Sequence, residues 1–178
     1  MTVRENKPNI ISVVGRSGSG KTTFLEKLIP HLKKKGYRMG IIKHAHCGVE
    51  MDKKGKDSWR HKNAGAAATI VISPGLISMV KDYEEPDTIE NESTTIERVK
   101  DYLSDMDIII VEGFKYAFLP KLEIFRVNAE HDTPLFLEDK NLAAFITDSD
   151  YRTTLPIFGL DDAEDVANFI EKKFILET

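Results

Sequence analysis

Residues 15–23 read Gly15-Arg16-Ser17-Gly18-Ser19-Gly20-Lys21-Thr22-Thr23. Glycines at these places let the backbone curl until successive N–H groups converge on one point, and such a concavity holds an anion. A helix starting at Lys21 would add the partial positive charge of its N-terminus. The run matches G-x-x-x-x-G-K-[ST], in which the lysine reaches the β- and γ-phosphates of a nucleoside triphosphate and the hydroxyl ligates Mg²⁺. Gly15, Ser17, Gly18, Ser19, Gly20, Lys21, Thr22 and Thr23 are therefore candidate nucleotide-binding residues. Lys21 is also a candidate catalytic cation, and Thr22 a candidate metal ligand.

A magnesium ion needs further oxygen donors. In Asp107-Ile-Ile-Ile-Val-Glu112-Gly113-Phe114 a short apolar strand ends in a carboxylate, and the C-terminal ends of parallel strands face the ligand side of a sheet. Glu112 is thus the candidate second metal ligand and catalytic carboxylate, whereas Asp107 belongs at the opposite edge. Asp52 is a third candidate, either orienting water or Mg²⁺ or serving as a solvated loop acid. His44, His46 and Cys47 combine imidazoles with a thiolate, which suits zinc; a polar loop beside a phosphate site is the alternative. Lys43, His44, Lys56, Arg60 and His61 are candidates for a second anionic ligand or a partner surface, with a solvated helix face as the competing reading of the last three.

These groups need elements to hold them. Ile10–Val14 is an unbroken apolar run of the kind buried on both faces. Phe24, Leu25, Leu28, Ile29 and Leu32 then recur at helical spacing, with a kink expected at Pro30 and a cationic end at 33–36. Tyr37–Lys43 reads as a second strand, and strand, helix and strand at this spacing imply a parallel sheet. A short helix is expected over Asp57–Ala67. Thr69–Ser73 and Leu76–Val80, split by Pro74-Gly75, predict a hairpin. The acidic stretch 82–95 reads as an exposed loop before a helix over Thr95–Leu103, with Thr94 and Glu97 spaced as a capping box. Ile108–Val111, Leu122–Val127 and Leu142–Thr147 are further strands, and Asp161 or Asp162 caps a last helix with Val166, Phe169, Ile170 and Phe174 on its apolar face. The class is α/β, a three-layer P-loop NTPase fold with a mostly parallel sheet and an extra β-hairpin.

The whole chain narrows the choice. Its 178 residues suit a single nucleotide-binding domain over 1–178, with 1–8 expected to be a flexible lead-in. Twenty-five basic against 29 acidic side chains give a net charge of −4, which argues against nucleic acid as a partner. Cys47 is the only cysteine, so no disulfide forms within the chain. The first residues lack an apolar signal core, and no apolar run approaches the ~20 residues that span a bilayer. Together these read as a cytoplasmic protein without membrane contact. The apolar hairpin lies outside the strand-helix-strand core, and an exposed sticky edge of that kind predicts a homodimer.

The combination of motifs resembles one family. Lys43-His44, Asp52, Gly55-Lys56-Asp57-Ser58, Arg60-His61 and Ala64-Gly65-Ala66 are similar to the molybdopterin-guanine dinucleotide biosynthesis protein B family. The likeness continues in Glu112-Gly113-Phe114-Lys115 and in Pro120-Lys121-Leu122-Glu123 with Arg126, covering residues 9 to about 170. Cys47 and Lys54 depart from it, where the family often has His and Pro. The resemblance implies a GTP-binding protein with weak GTPase activity and Mg²⁺ dependence, dimeric, assisting the guanylyltransferase that attaches GMP to molybdopterin. It also draws attention to Asp148, at the end of the strand Leu142–Thr147, as an acceptor for guanine N–H groups; a helix cap or loop acid is the alternative. Two rival functions share the phosphate loop. A small-molecule kinase would bring arginines on a lid, but Arg98, Arg126 and Arg152 are scattered. A metallochaperone GTPase would use His44, His46 and Cys47 as its donor site.

Overall fold

The apolar runs become strands of a six-stranded, all-parallel sheet. In this computed structural model, which describes residues 8–45, 48–49, 52–83, 92–127 and 133–177, the elements form two units. The expected lead-in 1–8, apart from Pro8, lies outside the described residues, as do His46 and Cys47 of the suggested zinc patch.

The first unit, Met1–His44 with Ile89–Thr178, holds the sheet. Its strands are β1 (Asn9–Val14), β2 (Met39–Lys43), β5 (Ile108–Glu112), β6 (Lys121–Phe125), β7 (Leu142–Thr147) and β8 (Ile157–Phe158), in the order β2-β5-β1-β6-β7-β8. All of β5 is buried because both of its faces are covered. Ile108 and Ile110 pack with Ile11, Val13, Leu122 and Ile124 against Leu28 and Leu32 of α1 (Lys21–Lys34) and Val166 and Ile170 of α4 (Ala163–Ile170). Ile109 and Val111 point the other way, onto Ile96 of α3 (Glu92–Lys100), Phe114 and Ala117. Helix, sheet and helix make the three layers that the apolar runs imply.

Several boundaries differ from the sequence reading. α1 is not one of them: it holds Pro30 inside and ends at Lys34, within the cationic end expected at 33–36. α3 begins at Glu92, so Thr94 lies inside its first turn and not at its cap; Glu97 pairs instead with Lys100, one turn on. Asp162 does stand at the N-cap of α4, but its carboxylate accepts from the Gly159 N–H at 2.7 Å rather than from the helix. Asp161 pairs with Lys27 at 2.6 Å. β8 has no counterpart in the sequence reading, because two residues after Pro156 carry no periodic signal.

β6 carries charge into the interior. Leu122 and Ile124 face α1 and α4, while Lys121 and Glu123 face the opposite layer at 2% and 1% exposure. Lys121 donates to the Ala117 carbonyl at 2.8 Å and pairs with Asp139 at 3.0 Å. Glu123 accepts the N–H groups of Leu135 and Phe136 at 2.6 and 3.1 Å. Each buried charge thus has the partners that such burial demands.

The second unit, Ala45–Thr88, contains α2 (Asp57–Asn63), β3 (Ala68–Ser73) and β4 (Leu76–Lys81). α2 ends at Asn63, short of the expected Ala67, where Gly65 takes a φ of 106°. The strands pair antiparallel as the hairpin the sequence predicts. Directly opposed residues share a face, so the pairs Ile70–Met79 and Ile72–Ile77 form an apolar ladder on one side of the ribbon. No described residue of this unit is buried, and Ile72 and Ile77 are 75% and 70% exposed. Among the described residues, no helix is long and apolar enough to cross a membrane.

Candidate functional site

The turn between β1 and α1 is built by close approach. Gly15, at φ 144°, lies so near β6 that a Cβ there would stand 2.4 Å from the Ile124 carbonyl oxygen. Gly20 begins the helix at φ 90°, which only glycine adopts without cost. Lys21 folds back across the turn, its Nζ donating to the Gly15 and Arg16 carbonyls at 3.1 and 2.7 Å. Ser19 Oγ and Arg16 Nε are buried without a hydrogen-bond partner. A turn with spare donors at a helix N-terminus has the chemistry of an oxyanion cradle. Ser17, Gly18, Thr22 and Thr23 lie on its exposed side.

Parallel pairing sets the carboxylate beside it. Ser12 on β1 opposes Val111 on β5, and its Oγ donates to the Gly113 carbonyl at 3.0 Å, tying the turn after β5 to the strand that leads into the glycine turn. Glu112, almost buried, accepts from the Thr22 hydroxyl at 2.8 Å. Hydroxyl and carboxylate side by side are hard oxygen donors of the kind Mg²⁺ takes. β2 pairs with β5 so that Lys43 stands opposite Glu112, and its Nζ lies 3.3 Å from Glu112 Oε1 and 3.5 Å from Thr22 Oγ1. His44 continues the ladder, donating its N–H to the Glu112 carbonyl at 3.1 Å. Its ring lies against Phe114 with centroids 4.7 Å apart.

The loop after Glu112 is fixed from α3. Phe114, buried, takes the left-handed conformation at φ 49°, a strained place for an aromatic residue. The Tyr116 N–H donates to Glu92 at 2.6 Å and the Phe118 N–H to Ser93 Oγ at 3.1 Å, so the first turn of α3 holds the loop. Lys115 of this loop reaches the field of the site. Burial lowers the Lys21 pKa, the ammoniums of Lys115 and Lys43 lower it further, and Glu112 opposes them. Lys115 is not among the candidate site residues of the sequence, where its only signal is its place in the run Glu112-Gly113-Phe114-Lys115.

Other candidates have their own partners. Asp148, just past β7, accepts from the Val127 N–H at 3.1 Å and lies 3.6 Å from Arg126 Nε. Both contacts brace the chain leaving β6. In the second unit, Asp52 accepts from the Lys53 N–H at 2.8 Å and Arg60 lies 3.6 Å from Asp57 on the same helix. Arg60 and His61 line an open groove with Trp59, and Lys56 is the exposed residue before the helix. Among the described residues, no group of three His, Cys, Asp or Glu side chains is placed to hold a metal.

Comparison with known proteins follows the same outline. The family model for molybdopterin guanine dinucleotide synthesis protein B matches residues 10–148. The molybdopterin-guanine dinucleotide biosynthesis adapter protein of Escherichia coli is 36% identical over 161 residues, covering 90% of each chain. The adapter protein of the same name from Haemophilus influenzae is 32% identical over 166 residues, 93% of this chain and 89% of that one. Among solved structures, Bacillus subtilis MobB superposes with a TM-score of 0.69 at 27% identity, over 93% of this chain and 98% of that one.

Proposed function

The chain belongs to the molybdopterin guanine dinucleotide synthesis protein B family, and on that premise we propose that it is a GTP-binding adaptor with weak GTPase activity. In this reading it assists the guanylyltransferase that joins GMP to molybdopterin, working in the cytoplasm as a homodimer. The contact that carries the nucleotide reading is Thr22 Oγ1 on Glu112 at 2.8 Å beside the glycine turn, because it supplies both metal-facing oxygens of a phosphate site.

The residues divide the work by their chemistry. N–H groups of the turn 15–20 and the Lys21 ammonium take the phosphate oxygens. Thr22 and Glu112 hold Mg²⁺, which when bound neutralises phosphate charge and orients the terminal phosphoryl group. Glu112 is engaged by the Thr22 hydroxyl, which suits it to the metal rather than to drawing a proton from water. Hydrolysis is slow for that reason, as it is wherever no arginine finger is supplied. Asp148 reads the guanine edge in this proposal. Lys56, Arg60 and His61 meet the anionic cofactor or the transferase.

The chief rival is a kinase acting on a small molecule. Incubating the protein with GTP, Mg²⁺ and molybdopterin, and following the γ-phosphate by mass, separates the two. Inorganic phosphate released slowly, with GMP transfer enhanced only when the transferase is present, is the expected result. A phosphorylated pterin overturns the adaptor reading.

A further inference from the structure

Three atoms meet at one point of the site. Thr22 Oγ1 and Glu112 Oε1 lie 2.8 Å apart, and the Lys43 ammonium lies 3.5 and 3.3 Å from those same two atoms. We propose that Lys43 is a built-in cation for the metal position, neutralising the Thr22–Glu112 pair and the adjoining phosphates whenever Mg²⁺ is not bound, and giving way when it is. The inference rests on the nucleotide reading above and adds a function for one residue to it.

The backbone makes the placement specific. Lys43 is in register with Glu112 across β2 and β5, and the next N–H along, that of His44, bonds to the Glu112 carbonyl, so the base of the Lys43 side chain is fixed by the sheet. Its side chain is 55% exposed, which leaves the ammonium a path into solvent. The Glu112 side chain is 10% exposed, so this carboxylate is poorly hydrated and benefits from a counter-charge. A divalent ion ligated by the same two oxygens would sit against the ammonium, and like charges at that distance repel each other. Lys43 and Mg²⁺ therefore compete for the same two oxygens.

The consequence is a protein that takes up nucleotide with little dependence on metal, and whose Mg²⁺ must compete for its ligands. Calorimetric titration with GTP in EDTA and in saturating Mg²⁺ tests this on the full chain with Lys43→Met, Lys43→Gln and Lys43→Arg, each checked for an unchanged melting curve. Losing one charge-assisted contact predicts that Lys43→Met and Lys43→Gln weaken GTP binding about 10- to 100-fold in EDTA. Saturating Mg²⁺ should reduce that loss to less than about 3-fold and half-saturate at a lower concentration than in the wild type, since the competitor is gone. Lys43→Arg should keep the metal-free affinity. A loss in EDTA no larger than the loss in Mg²⁺ overturns the role given to Lys43 while leaving the nucleotide site standing. Wild-type protein that binds no GTP in either buffer overturns the nucleotide reading and this inference with it.

Discussion

Thr22 and Glu112 are 90 residues apart in sequence and 2.8 Å apart in space. Each was legible alone: Thr22 from the local glycine motif, Glu112 from its place at the end of an apolar strand. What sequence could not supply is the third partner, because Lys43 reaches them only through the register of β2 on β5, a property of pairing and not of spacing. Lys115 was hidden for a related reason, since a loop held by Glu92 and Ser93 of α3 carries it. Glu112→Gln tests the residue scale. The amide keeps an oxygen for the Thr22 hydroxyl but loses the negative charge, so GTP still binds while Mg²⁺-dependent hydrolysis falls about 100-fold. Steady-state hydrolysis across a magnesium series checks this, and an unchanged magnesium dependence would remove Glu112 from the metal's ligands.

At the scale of elements, β6 is the strand whose sequence conceals its role. Lys121-Leu-Glu-Ile-Phe125 alternates like a surface strand, and that pattern ordinarily means one face in water. Here the charged face is covered, and Lys121 is satisfied by Asp139 and by a carbonyl. Asp139 has its pKa lowered: partial burial works the other way, but the Asn141 N–H and the Lys121 ammonium outweigh it. A carboxylate held low stabilises the fold fully above its ordinary value, and that contribution is lost as pH falls through the depressed one. Asp139→Asn strands the buried ammonium and should cost about 3 kcal/mol at neutral pH. Urea unfolding of both proteins from pH 7 down to pH 3 should show the gap closing as the wild-type carboxylate takes up its proton. A gap that stays constant with pH would assign Asp139 no ionic role. The helix starts were less legible than the strands: Thr94 and Glu97 have the capping-box spacing, yet α3 begins at Glu92, whose carboxylate is drawn to the Tyr116 N–H.

For the whole molecule, the hairpin is the clearest sign of an incomplete surface. Its turn was legible in Pro74-Gly75, and its paired isoleucines remain exposed. A two-stranded ribbon is marginal by itself, so its apolar ladder calls for cover. A second copy of the chain is the partner proposed. Sedimentation equilibrium at micromolar concentration should give a dimer, and Ile72→Lys with Ile77→Lys should weaken it at least about 100-fold, from the apolar area lost and the charges introduced. A wild-type monomer would count against the dimer, and an unchanged dimer in the double variant would move the interface elsewhere. The adaptor reading itself meets its most direct test in guanylyl transfer. GMP transfer to molybdopterin by the transferase is measured alone, with this protein, and with its Lys21→Ala variant, which leaves the fold intact because alanine suits the start of a helix. The wild type should raise transfer and Lys21→Ala should not, since its phosphate site is lost. Equal enhancement by both proteins, or none by either, would contradict the account.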